Sequence, residues 1–368
     1  MYMLGNFIRI SLFFLSGTFF LFNSCTSPSA EPDPIKIRVV VVNMFELGED
    51  SGDTPGEMQY WVEKLPLPDT LPFQEGYHHL RYNAEKGVLG LLTGVGNIKS
   101  AAAVTALGND PRFDLTEAYW LVAGIAGVDP ENASIGSAIW TDYVVDGDLG
   151  HEIDPREIPE NWQTGYLPLR ANEPYEQPQP DNEGSVFVLN KSLARWALEL
   201  TQDLPLEDNE DMQRVRSRYI NHPEAQKPPK ILLGAQLSAL TYWHGKYLNQ
   251  WANNWVGYWT QSQSDFISSA MEDTGTAQAL QWLDNAGKAD YNRLMILRTA
   301  SNFTMQHPDI SAAVSLSGEK LDGSPSYSAY IPALEAAYEL GSKVVEEILG
   351  NWETYRVNIP EAENQQTN

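Results

Sequence analysis

The sequence predicts an α/β fold: a single large domain whose mixed, mainly parallel central sheet is flanked by helices. Residues 35–42 (IKIRVVVV) form a β-branched run without Gly or Pro, the pattern of a strand buried on both faces of a sheet. Apolar runs of strand length recur at 87–93, 119–123, 139–145, 230–233 and 293–297. Between them lie helix-like stretches at 98–107, 191–201, 274–285 and 331–349. Strands that alternate with helices build a largely parallel sheet.

In residues 1–24 the only charge is Arg9, and the apolar run at 10–22 falls short of the ~20 residues that a spanning helix needs. This reads as a signal peptide. It ends in Leu21-Phe22-Asn23-Ser24-Cys25, which resembles a bacterial lipobox. Cleavage there makes Cys25 a lipid anchor and places the protein at a bacterial cell envelope, the membrane being reached through that anchor only. The alternative is ordinary signal cleavage with Cys25 as an incidental thiol. Residues 25–34, rich in Pro, Ser and acid, read as a flexible linker, and the domain is expected over 35–355. Two polar insertions are expected within it, at 155–186 and 205–229, and the tail at 356–368 reads as disordered.

Composition removes several function classes. With 49 acidic against 24 basic residues and a net charge of -25, the chain is repelled by phosphate backbones, so nucleic acid is excluded as a partner. A single Cys rules out an intrachain disulfide and a multi-Cys zinc site. The six histidines show no HExxH spacing and there is no GxSxG elbow, which argues against a zinc hydrolase and an α/β-hydrolase nucleophile. No metal is expected.

Gly94-Val95-Gly96 follows a strand, as in a dinucleotide fingerprint, but Lys99 stands where the third Gly belongs. What remains is two strand-to-Gly-turn units, the second at Gly124-Ile125-Ala126-Gly127, whose backbone donors line one sheet edge. The acids Glu46, Glu49, Asp50, Asp53 and Glu57 read as solvated loop residues. The aromatic stretch at 240–260 is either core packing or, at Tyr242-Trp243 after a strand and a Gly234 turn, a surface for stacking a planar ligand.

The order of these motifs is familiar. Met44-Phe45-Glu46, Thr93-Gly94-Val95-Gly96, Ala123-Gly124-Ile125-Ala126-Gly127, His151-Glu152, Met271-Glu272 and Arg298-Thr299-Ala300-Ser301-Asn302 together resemble the nucleoside phosphorylase and nucleosidase superfamily. With the Tyr-Trp-His-Gly segment, the chain is most similar to the purine nucleoside permease family within it. The resemblance implies a phosphorylase-like domain and a purine nucleoside as ligand. It implies that Met271 and Glu272 hold the ribose, the Glu272 carboxylate accepting from its 2′- and 3′-hydroxyls. Tyr242 and Trp243 would lie against the base, Thr93 and Gly94 near the ribose and nucleophile, and Gly124 at the pocket floor. Asn302 falls where many relatives carry a proton-donating Asp. An amide hydrogen-bonds purine N7 without supplying a net proton, which suits 6-oxopurines. Asp273 is a substitute acid.

Glu46 matches the first-loop Glu that activates water in nucleosidases. The phosphorylases place an Arg on the strand that reads 118–123 here, and this chain has none, Lys99 and Arg298 being the remaining cations nearby. Cleavage of the N-glycosidic bond is therefore expected to be hydrolytic, without a cofactor; phosphate is a co-substrate only if cleavage is phosphorolytic. The alternative function is a non-catalytic nucleoside-binding component of nucleoside transport, which needs a separate channel. The resemblance also implies a homo-oligomer, because relatives complete their pockets from a neighbouring subunit, although the Pro-rich insertion stands in the way.

Overall fold

In the computed structural model, which describes residues 33–176, 184–317 and 328–362, the β-branched run divides into β1 (Ile35–Lys36) and β2 (Val39–Asn43). The chain continues through α1 (Gln59–Lys64), β3 (Asp69–Leu71), β4 (Leu80–Asn83), β5 (Val88–Leu92), α2 (Asn97–Gly108) and β6 (Phe113–Asp114). Next come β7 (Tyr119–Val128), β8 (Ala138–Asp146), β9 (Gly150–Glu152), β10 (Tyr166–Pro168), β11 (Val186–Val188), α3 (Lys191–Thr201) and α4 (Glu210–Arg216). The rest is β12 (Ile231–Ser238), α5 (Lys246–Trp259), β13 (Phe266–Ala270), α6 (Asp273–Asn285), β14 (Leu294–Phe303), α7 (Ala312–Leu316), α8 (Tyr330–Gly350) and α9 (Trp352–Tyr355).

The two-residue period of a strand explains the layers. In β2, Val40 and Val42 enter a core with Val104 and Leu107 of α2 and Leu280 and Leu283 of α6. Val39 and Val41 point the other way, into a core with Trp61 of α1, Leu193 of α3 and Leu340 and Val344 of α8. Every residue of β2 and β5 is buried, as expected for strands covered by helices on both faces. Each buried Val or Leu contributes roughly 1.5–3 kcal/mol through area removed from water.

The large sheet runs β11-β8-β12-β13-β7-β2-β5-β4-β3, and β14 pairs with both β7 and β8. Parallel and antiparallel neighbours are mixed, the longest ladder being the parallel β14–β7 pair. The mixed, mainly parallel sheet predicted from the sequence is corrected in one respect, its closure. Because β14 bridges β7 and β8, the circuit β8–β12–β13–β7–β14 closes into a barrel-like ring of five strands. Register shifts at Gly234/Gln236, Ala235/Gln236 and Ala300/Asn302 bend the strands enough to close it. Two expected turns are also absent: β7 continues through Gly124 and Gly127, and β12 continues through Gly234.

The 205–229 segment is more than a polar insertion, since Met212 of α4, Tyr219 and Ala225 join a core cluster with Ile135 and Phe303. Within 155–186, β10 pairs with β9, while 177–183 lie outside the described residues. The tail expected at 356–368 is ordered at first, with Ile359 packed on the α8 side of the core and Pro360 buried. The expected signal peptide and Cys25 lie outside the described residues. Among the described residues no helix is long and apolar enough to cross a membrane.

Candidate functional site

At the strand ends a cavity of about 320 Å³ collects side chains from distant parts of the chain. Met44 and Phe45 follow β2, Val95 follows β5, and Ile125 to Gly127 belong to β7. Thr241, Tyr242 and Trp243 follow β12, Met271 and Glu272 follow β13, and Arg298, Ser301 and Asn302 come from β14. Glu57, just before α1, and Tyr330, at the start of α8, complete it. This is where open or curled α/β sheets place ligands, outside the carboxyl ends of their strands.

One buried guanidinium organises the polar end. Arg298 is held by Asp273 at 3.0 Å from Nε and 2.6 Å from Nη2, and by Glu272 at 3.0 Å from Nη2. Its Nη1 donates to the Ile125 carbonyl at 3.1 Å and lies 3.9 Å from the Glu57 carboxylate. Burial alone lowers the affinity of Arg298 for its proton, but Asp273 and Glu272 outweigh it and the group is held more firmly charged than usual. Buried charges persist only when paired in this way.

Three carboxylates face that single cation, so the acids compete for it. Glu57 accepts from Met44 N and Ile125 N, both at 2.8 Å, yet burial outweighs these bonds and Arg298, and its pKa is pushed up to about 8. Glu272 is also raised, burial again being the main cause, although Gly96 N donates to it at 3.2 Å and Met271 N at 3.1 Å. Gly124 makes room for this arrangement: a Cβ there would lie 2.3 Å from both Glu57 Oε1 and Met44 Cε. Tyr330 donates to the Pro55 carbonyl at 2.8 Å, and burial followed by Glu46 and Glu57 pushes its pKa up to about 12.

The other end is aromatic and neutral. Tyr242 is 47% exposed at the mouth. Trp243 packs edge-on to Trp251 and tilted on Phe266, each with centroids 6.1 Å apart. The bulge in β14 directs Ser301 and Asn302 inward, where Ser301 Oγ donates to Asn302 Oδ1 at 2.9 Å.

Of the residues singled out from sequence, Tyr242, Trp243, Met271, Glu272 and Asn302 meet at this cavity. Thr93, Gly94 and Gly124 are buried beside it without lining it; Thr93 N donates to Asn43 O at 2.9 Å, and Gly94 turns with φ 81°. Glu46 does not reach the cavity. Its carboxylate accepts from the backbone N–H groups of Leu47, Gly56, Met58 and Gln59, which ties down the loop before α1. That loop instead delivers Glu57, so the reading of Glu57 as a solvated acid is corrected. Asp273 is engaged with Arg298, and Lys99 sits over the Tyr77 ring, 5.2 Å from its centroid. The one available signal for Glu57 was Gly124, whose missing side chain leaves room for a group from elsewhere.

The chain superimposes on the Helicobacter pylori 5'-methylthioadenosine/S-adenosylhomocysteine nucleosidase with a TM-score of 0.50 over 84% of this chain and 98% of that one. At 14% identity this is a likeness of fold alone. The family is shown by sequence: residues 36–360 match Purine nucleoside permease (NUP), and the chain belongs to that family. It is 27% identical over 331 residues to a probable purine nucleoside permease of Schizosaccharomyces pombe, covering 86% of this chain and 90% of the relative. It is 28% identical over 319 residues to a purine nucleoside permease of Candida albicans, covering 86% and 76%. These relatives are fungal, hence eukaryotic, and they overturn the bacterial cell-envelope localisation expected from the N-terminal run and Cys25.

Proposed function

We propose that the cavity binds a purine nucleoside and hydrolyses its N-glycosidic bond. The observation that carries this reading is the excess of acid over base at one end of an otherwise apolar cavity: Glu57 and Glu272 share a cation already engaged by Asp273. Glu272 accepts from the ribose 2′- and 3′-hydroxyls, and the base lies between Tyr242 and Trp243 with Asn302 at its N7 edge. Positive charge that develops at C1′ as the bond breaks is stabilised by the excess carboxylate. A phosphate dianion is not, which favours water over phosphate as the nucleophile.

Glu57 replaces Glu46 as the general base. With a pKa near 8, it exchanges its proton close to neutral pH, as a general base must. It takes a proton from the water whose oxygen bonds to C1′; the C1′–N9 bond breaks, and its electron pair leaves with the base. Asn302 donates a hydrogen bond to N7, while the proton that neutralises the base comes from solvent.

The test is incubation with inosine, guanosine and adenosine, with and without phosphate, following free base and sugar by chromatography. Phosphate-independent release is expected, with a rate that rises with pH as Glu57 deprotonates and levels off above about pH 8. Glu57→Gln should lower that rate by about 100-fold, the typical worth of a positioned base. Release only with phosphate rejects hydrolysis. The amide at Asn302 favours a second reading, a nucleoside-binding component of transport; its signature is nucleoside-induced thermal stabilisation with no base released.

A further inference from the structure

Behind Tyr242 and Asn302, which it shares with the main cavity, lies a smaller one of about 40 Å³. Tyr219, Phe303 and Ser315 help to wall it, and among the described residues His244 is its one ionisable base. His244 Nε2 lies 2.9 Å from Ser315 Oγ, its one hydrogen-bond partner among the described residues. Burial lowers the imidazole pKa, so at neutral pH the ring is uncharged and offers one donor and one acceptor. A space of this size has room for a small polar substituent of a bound ligand. The surrounding wall is apolar or aromatic: Tyr219 and Phe303 lie with ring centroids 4.0 Å apart, and the Tyr219 hydroxyl is spent on the Met305 carbonyl at 2.8 Å.

We infer that His244, backed by Ser315, determines specificity for the substituent on C6 of the purine. The inference rests on the nucleoside reading above. A purine with N7 at Asn302 carries its C6 substituent on the same edge, directed past Asn302 into the smaller cavity. There the His244–Ser315 pair answers either chemistry. The ring tautomer and the rotating hydroxyl together present a donor to a 6-oxo group or an acceptor to a 6-amino group. Both 6-oxo and 6-amino purines are therefore bound, and a purine that has only hydrogen at C6 gains nothing from His244.

The experiment measures dissociation constants of inosine, adenosine and purine riboside for the wild-type protein, His244→Ala and Ser315→Ala. His244→Ala should weaken inosine and adenosine by about 10-fold, the effect of one lost hydrogen bond, and leave purine riboside within about two-fold. Ser315 belongs to α7, which has no buried residue, so Ser315→Ala keeps the fold and should weaken the same two ligands by about three-fold. Equal weakening of all three ligands, or no change in any, overturns the role of His244. Wild-type protein that binds none of the three overturns the nucleoside reading itself, a distinguishable result.

Discussion

At one end of the cavity Arg298 and its carboxylates are buried and bonded from several elements, whereas at the other Tyr242 is half exposed and Asn302 is uncharged and partly covered. The two ends obey different physics. Charges removed from water must be paired and hydrogen-bonded in place, so the acidic end is assembled by β7, β13, β14 and the loop before α1 acting together. Neutral rings and amides carry a smaller penalty, and their end can remain open to solvent. The acidic end is thus coupled to folding, and the aromatic end chiefly to the ligand.

The sharpest way to break that contrast is Arg298→Met. It leaves Asp273, Glu272 and Glu57 without their shared cation and should destabilise the protein by about 3–5 kcal/mol, read as a shift in the urea midpoint at unchanged slope. A loss under ~1 kcal/mol would separate the charged cluster from folding.

A smaller effect comes from pH. Folded Glu57 keeps its proton to about pH 8 against 4.5 for the ordinary carboxyl, so across that window the native state binds more protons than the unfolded chain. Stability therefore falls as pH rises from 4.5 to 8, and Glu272 is shifted in the same direction. Urea titrations across this range should show the fall, and Glu57→Gln should flatten it. A slope identical in that variant assigns the pH dependence to other groups.

The smallest expected effect is at the open end. Tyr242→Ala should leave the urea midpoint unchanged and weaken nucleoside binding by about 1 kcal/mol, the worth of one aromatic contact. Calorimetric titration reads it, and a stability loss as large as that of Arg298→Met would erase the distinction between the two ends.

Much of the fold was legible in local pattern. The β-branched run at 35–42, the Ala-rich stretch that became α2 and the amphipathic segments that became α3, α6 and α8 all carry their own periodicity. β13 escaped notice because its sequence, Phe-Ile-Ser-Ser-Ala, is short and half polar. Gly124, Gly127 and Gly234 suggested turns, yet their strands continue through them because neighbouring strands supply the hydrogen bonds. In the candidate site, Met271-Glu272 and Tyr242-Trp243 were visible as adjacent pairs. Glu57 was not, since it sits in a loop full of acids and nothing local separates a buried one from its solvated neighbours.

By itself the sequence determined what short-range physics can specify: the α/β class, the helix faces, the acidic surface and the neutral amide at Asn302. Tertiary structure alone decided that β14 bridges β7 and β8 to close the ring, and that Arg298 faces three acids. It also decided that Glu57 rather than Glu46 enters the cavity. The reason lies in long-range pairing: which carboxylate loses its water depends on what the rest of the chain lays over it, and side-chain type does not encode that.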